Sequence, residues 1–159
     1  MSAVVSDTSP INYLIRIGEI ELLPKLFGEV SIPPAVLQEL QQAGAPAHVR
    51  QWALQTPAWA RILAPAFIDQ TLDLGPGEIE AIALARELGE SLLLIDERKG
   101  RRAALVNGLR TAGTLNILEQ GSIRGLLDLN QAVERLRATN FRVSRRVLAE
   151  FLDRVRRPQ

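Results

Sequence analysis

Four acidic side chains stand in this sequence where their neighbours give them little reason to be: Asp7, Glu39, Glu78 and Asp96. Asp7 closes the apolar run AVVS and Asp96 closes LLLI, each at the end of a segment with no polar face. In PPAVLQEL, with about 100° between successive helical residues, Val36, Leu40 and Ala43 fall together and Glu39 sits at the border of their face. Glu78 belongs to GEIEAIALARELG, which is apolar almost all round; it projects between Ile82 and Ala85, whereas Glu80 falls beside Glu87 on the remaining polar strip. Acids in the first turn complement a helix dipole, which accounts for Glu80 and only in part for Glu78. Taken singly, Glu39 reads as a rim glutamate covering apolar surface with its stem, and Asp7 as a solubilising charge at a strand end. Taken together, the four could converge, and carboxylates placed side by side raise one another's pKa unless something compensates. The chain has no cysteine and a single His48, so a thiolate or zinc site is not available. The compensating group for such a cluster is a hard divalent cation held by oxygen, Mg²⁺ or Mn²⁺. Such a site supports hydrolysis of a phosphodiester by an activated water.

The elements that must position these acids alternate along the chain. AVVSD reads as a buried strand, followed by the helix TSPINYLIRIG with Ser9 as N-cap, Pro10 at its first position and Gly18 as its stop. A short helical ELLPKLF precedes the strand GEVSIP; PPAVLQELQQAG is a helix opened by proline and closed by Gly44, and PAHVRQWALQ is another. ARILAP is a strand or an extended connection. GPGEIEAIALARELG is a helix between glycines, and SLLLID an unalternating run of strand length. ERKGRRAALVNGL is helical, RTAG a short strand, TLNILEQG a short helix, and LNQAVERLRATN and SRRVLAEFLDRV are amphipathic C-terminal helices. Strands apolar on both faces that alternate with helices predict an α/β fold whose mostly parallel sheet is covered on two sides. Ligands of such folds bind beyond the carboxyl ends of the strands, the edge that Asp7 and Asp96 occupy.

With 159 residues, 47% of them hydrophobic, the chain has the size of one domain with a real core, and neither a signal peptide nor an apolar stretch of spanning length is evident. A cytoplasmic protein without a membrane segment is expected. The net charge of +1 conceals a division, because residues 1–97 carry 5 Lys/Arg against 13 Asp/Glu and residues 98–159 carry 14 against 5. Either the two parts neutralise each other, or the basic part handles a polyanion near the acids. Arg98, Lys99, Arg101 and Arg102 open a helix beside Asp96, where cations oppose the helix dipole. Either they pair with the excess acids of the first part, or they hold the phosphates of a polyanion over the acids, the reading favoured by the helix N-terminus beside them, with Glu97 placed to pair one of the four. A second basic group, Arg142, Arg145, Arg146, Arg154, Arg156 and Arg157, fits RNA, a protein partner or a solvated face equally. Phe141 and Phe151 fit core positions, so base stacking is not evident, and Trp52 and Trp59 fit packing or a subunit interface.

The ordered segments VSDTSPI, PPAVLQEL, GPGEIEAIALA and LLLIDERKGRRAA resemble the acidic motifs of the PIN-domain family. More narrowly they resemble its VapC-like toxin branch, in which a Gly-Glu pair opens the third motif; RTAGTLNILEQGSIRG is similar to the Gly-Thr helix that follows. The resemblance covers residues 1 to about 125, a PIN-like α/β/α nuclease core, with 126–159 as a helical extension of the same domain. It implies a Mg²⁺- or Mn²⁺-dependent ribonuclease with Asp7, Glu39, Glu78 and Asp96 as catalytic metal ligands. Glu78 stands at a position more often Asp in the family, and Thr8 or Ser9 would support Asp7. The resemblance further implies the toxin of a toxin–antitoxin pair, a homodimer, an RNA substrate and inhibition by a small antitoxin protein. The alternative is a PIN-fold module that binds RNA or protein without cutting. Receiver and haloacid-dehalogenase-like folds also place Asp after a strand, but position 9 is Ser, not the second Asp of the phosphatases, and Asp7 lacks the receivers' acidic neighbour.

Overall fold

The unalternating runs AVVS and SLLL lie side by side at the centre of one sheet. In the computed structural model, which describes residues 2–157, the strands are β1 (Ala3–Ser6), β2 (Val30–Ile32), β3 (Ala60–Ile62), β4 (Ser91–Leu94) and β5 (Arg110–Ala112). Their order is β3-β2-β1-β4-β5 and every neighbouring pair is parallel. ARILAP and RTAG thus supply the two edge strands.

Alternate residues of the central strands enter separate cores. Val4 and Leu94 pack with α1 (Thr8–Arg16), α2 (Leu22–Phe27), α3 (Pro34–Leu40), α4 (Ala47–Leu54), α7 (Thr114–Ile123) and α8 (Leu129–Arg137). Val5, Leu93 and Ile95 pack with α5 (Pro76–Glu87) and α6 (Arg98–Val106). This is the expected three-layer α/β/α arrangement. Each large side chain buried this way stabilises the fold by about 1.5–3 kcal/mol, so β1 and β4 present their C-terminal ends on the firmest part of the molecule. The chain leaves β1 toward β2 on one side while β4 flanks it on the other. The switch point, where α/β sheets open a crevice, therefore lies between the residues that follow β1 and β4. Ser6 pairs with Leu94 there, and the Asp7 amide donates to the Leu94 carbonyl at 2.9 Å.

The start of α1 differs from the sequence reading. Asp7, not Ser9, is the N-cap, and Pro10 falls third in the helix. Proline is accommodated throughout the first turn because those N–H groups have no intrahelical acceptor, so Pro10 does not fix the start, and the Ser9 hydroxyl is released for another partner. Helix α3 ends at Leu40, ahead of Gly44; the Gln41 side chain donates to the Ala53 carbonyl at 3.1 Å and ties the corner to α4. Its N-cap is Pro33, which has no capping side chain, and Glu80 of α5 supplies the acceptor from outside, 2.9 Å from the Ala35 amide. Glu80→Ala is expected to cost about 1 kcal/mol in urea unfolding, the usual worth of an N-terminal cap, and Glu80→Gln distinctly less.

Ala132 and Leu136 of α8 join the first core, while Val133 packs with Leu148 and Phe151 of α9 (Arg145–Arg156). Met1 and residues 158–159, the outermost positions of the two expected regions, lie outside the described residues. Among the described residues no helix is long and apolar enough to cross a membrane. Trp52 and Trp59 pack on each other, ring centroids 5.8 Å apart.

Candidate active site

Asp7, Glu39, Glu78 and Asp96 all line one groove of about 740 Å³ above the switch point. Two of them are bonded at both carboxylate oxygens, and two each leave one oxygen without a partner. Asp96 accepts from the Thr114 amide at Oδ1 (2.7 Å) and from the hydroxyls of Thr114 (2.7 Å) and Ser9 (2.8 Å) at Oδ2. Three of its roughly four acceptor positions are thereby used. Glu39 accepts from the Thr8 hydroxyl at 2.8 Å and the Gly77 amide at 2.7 Å. Thr8 and Ser9 were expected to support Asp7; each instead bonds a different acid across the groove, because both project from the first turn of α1 once that helix begins at Thr8. By contrast Asp7 Oδ1 and Glu78 Oε2 are buried with no hydrogen-bond partner.

Their protonation follows from this. Burial pushes the Asp7 carboxyl up to about 7, opposed in part by the Thr8 amide and reinforced by the charges of Glu78, Glu39 and Asp96. Glu78 is also raised, by burial first and then by the charges of Glu97 and Glu39. A buried carboxylate without a partner is costly, so two such oxygens in one groove mark a place for positive charge. Among the described residues no three acids are gathered closely enough to enclose a metal ion unaided. The donor set nonetheless fits Mg²⁺ or Mn²⁺, since Mg²⁺ commonly keeps several waters and takes one or two carboxylates. Asp7 and Glu78 would hold the cation directly, with Asp96 and Glu39 offering their remaining lone pairs.

Three glycines make room for these acids. A Cβ at Gly77 would strike the Glu39 carboxylate, one at Gly100 would strike Glu78 Oε2, and one at Gly113 would lie 2.9 Å from Asp96 Oδ1.

A family model described as a PIN domain (DUF3368) matches residues 3–157. The chain belongs to the PIN-domain family. PIN domains are generally nucleases and typically use divalent metals, which agrees with a parallel sheet whose switch point carries acids. The match runs through α8 and α9, beyond the stretch over which the motifs resemble the family. No curated protein and no solved structure matches the chain.

The basic residues of this PIN domain divide. Arg98 lines the groove; Lys99 pairs with Asp73 at 2.7 Å, both exposed; Arg101 lies near Gly113, and Arg102 is exposed on α6 outside the groove lining. Glu97, expected to pair one of them, is the N-cap of α6 and lines the groove. Of the seven ion pairs among the described residues, only Lys99–Asp73 and Arg135–Glu19 join the acidic part of the chain to the basic part. Mutual neutralisation therefore accounts for little of the basic excess.

Sequence reasoning missed Thr114, the main partner of Asp96, although the Gly-Thr of RTAGTLNI was its visible signal. It also missed the far wall, where Asn12 and Tyr13 stand with Asn140, Phe141 and Arg142. Phe141, read as a core residue, packs against Tyr13 and lines the groove as well.

Proposed function

We propose that this chain is a Mg²⁺- or Mn²⁺-dependent endoribonuclease of the VapC-like branch. The reading further makes it the toxin of a toxin–antitoxin pair, acting in the cytoplasm as a homodimer and inhibited by a small antitoxin protein. The observation that carries the catalytic part is the pair of buried, unpartnered oxygens, Asp7 Oδ1 and Glu78 Oε2, at the switch point. A bound cation would supply Lewis acidity toward the phosphoryl oxygen and lower the pKa of the attacking water. The chain's own residues do the rest. Thr114 and Ser9 fix Asp96, and Thr8 with Gly77 fixes Glu39, so neither acid must be ordered when substrate arrives. Arg98 on the rim meets the RNA phosphates, and Lys99, Arg101 and Arg102 extend the positive field along α6. The four acids repel a polyanion, and a bound cation would offset that charge at the cleavage point.

The test is cleavage of a mixed RNA pool by purified protein with Mg²⁺, with Mn²⁺ and with EDTA. Metal-dependent cutting is expected, together with a metal-induced rise in melting temperature. No cutting and no rise would sink the nuclease reading and leave a PIN-fold binding module. The antitoxin and dimer parts are checked separately, by co-purification with the product of a neighbouring small open reading frame and by sedimentation.

A further inference from the structure

The wall facing the four acids belongs to a part of the chain that the hydrolysis does not use. The turn joining α8 to α9 folds back over α1, where Asn140 Oδ1 accepts from the Tyr13 hydroxyl at 3.0 Å and from Arg16 Nη1 at 2.6 Å. The Phe141 ring meets the Tyr13 ring edge-on, centroids 5.0 Å apart and planes at 83°. The turn is fixed internally as well: the Thr139 hydroxyl donates to the Leu136 carbonyl at 2.6 Å and accepts from the Phe141 amide at 3.1 Å. The groove is thus lined both by the acids and by an ordered set of amides, rings and arginine.

Three features of that wall select one class of ligand. Among the described residues the Asn12 side chain makes no hydrogen bond, and Asn140 engages only its oxygen, so one whole carboxamide and one NH₂ group are uncommitted. Two aromatic rings stand beside them. Neither Arg142 nor Arg98 has an acidic partner among the described residues. A carboxamide matches the donor and acceptor edge of a base, an aromatic ring takes its face, and an unpaired guanidinium takes a phosphate. In a duplex those edges and faces are occupied, so the ligand is an unpaired nucleotide.

We propose that Asn12, Tyr13, Asn140, Phe141 and Arg142 form a nucleotide-reading subsite that holds one unpaired RNA base beside the scissile phosphate, with Arg142 on its backbone. The subsite rests on the ribonuclease reading and supplies what that reading lacks. Metal and phosphate contacts treat every sequence alike, whereas amides at a base edge distinguish bases. Cleavage preference is therefore set by the return of the C-terminal segment over α1.

The test uses the full chain in EDTA and labelled RNA of one sequence, single-stranded or annealed to its complement, with binding followed by anisotropy across a salt series. Single strand is expected to bind about tenfold tighter than duplex, the worth of one engaged base. Arg142→Ala weakens single strands of every sequence by about tenfold and lowers the salt slope by about 0.7, the release of one phosphate contact. Asn12→Ala leaves that slope in place and, like Asn140→Asp, shifts the cleavage positions read by end-sequencing a mixed RNA pool with Mn²⁺ present. Asn140→Asp keeps the oxygen that Tyr13 and Arg16 bond and removes the donors while adding a negative charge, so it is read by cleavage position and not by affinity. Unchanged affinity and slope in Arg142→Ala, or wild-type cleavage positions in both amide variants, overturns the subsite while the nuclease stands. Single-strand binding through Arg142 with no cutting under any metal keeps the wall as a nucleotide site and overturns the nuclease.

Discussion

Asp7→Asn will cut RNA at no more than about a hundredth of the wild-type rate, the loss expected when a metal ligand is removed, and will melt at a higher temperature than wild type at pH 8 in EDTA. The two effects have one cause. Asp7 is 5% exposed, its Oδ1 has no partner, and its pKa stands near 7 in the fold against an ordinary value of 3.8. A carboxyl whose pKa is raised by folding favours the fold only while protonated. Its contribution is intact below pH 4, declines by up to about 1.4 kcal/mol per pH unit as pH rises, and is gone once pH passes 7. The difference amounts to roughly 2–4 kcal/mol, which for a chain of this size is about 5–10 °C. Asparagine carries no charge, and the Asp7 side chain makes no capping hydrogen bond to α1, so the substitution removes no cap there. Scanning fluorimetry of both proteins from pH 4.5 to 8.5 in EDTA should show a descending curve for wild type and a flatter one for the variant. Mg²⁺ favours the ionised form, so it should raise the wild-type melting temperature more at pH 8 than at pH 5.5. A variant that is less stable than wild type at pH 8 would show that Asp7 serves as a structural cap rather than as a strained ligand.

The parts of this site legible in the sequence are those fixed by local pattern. AVVS and SLLL carry no polar face, so both had to be central strands, and the residue after each had to reach the crevice. Helical spacing placed Glu39 and Glu78 on the right flanks because α3 and α5 are regular where those acids occur. What failed was pairing at a distance. Ser9 and Thr8 bond acids 87 and 31 residues away, and Asn140 meets Tyr13 across 127 residues. No periodicity encodes such meetings, since they depend on where a loop returns over a helix already packed. Glu80 illustrates the same limit: read as part of the polar strip of α5 and as a complement to its dipole, it lies half-buried and caps the open end of α3 instead.

Gly100→Ala should separate stability from activity in the opposite sense to most helix substitutions. Gly100 lies inside the first turn of α6, where alanine ordinarily favours a helix by up to about 1 kcal/mol. Here the added methyl would strike Glu78 Oε2 and come within 2.7 Å of the Ile95 Cδ1 atom. Both are ends of flexible side chains and can withdraw, so the fold survives with a melting temperature near that of wild type. The Glu78 carboxylate, however, leaves the position facing Asp7. Metal-dependent cleavage and metal affinity are expected to fall by about 10–100-fold, as when the support of a ligand is removed, and the metal-induced rise in melting temperature shrinks with the affinity. The double variant Gly100→Ala with Glu78→Asp decides the cause. Aspartate is shorter by one methylene, so its carboxylate clears the methyl and part of the activity returns, although Glu78→Asp in the wild-type background draws the ligand back and loses activity. Gly100 on this account provides the space that the longer acid requires. If the double variant is no better than the worse single one, the methyl acts through Ile95 and the packing of α6 on β4, and Gly100 is a packing residue.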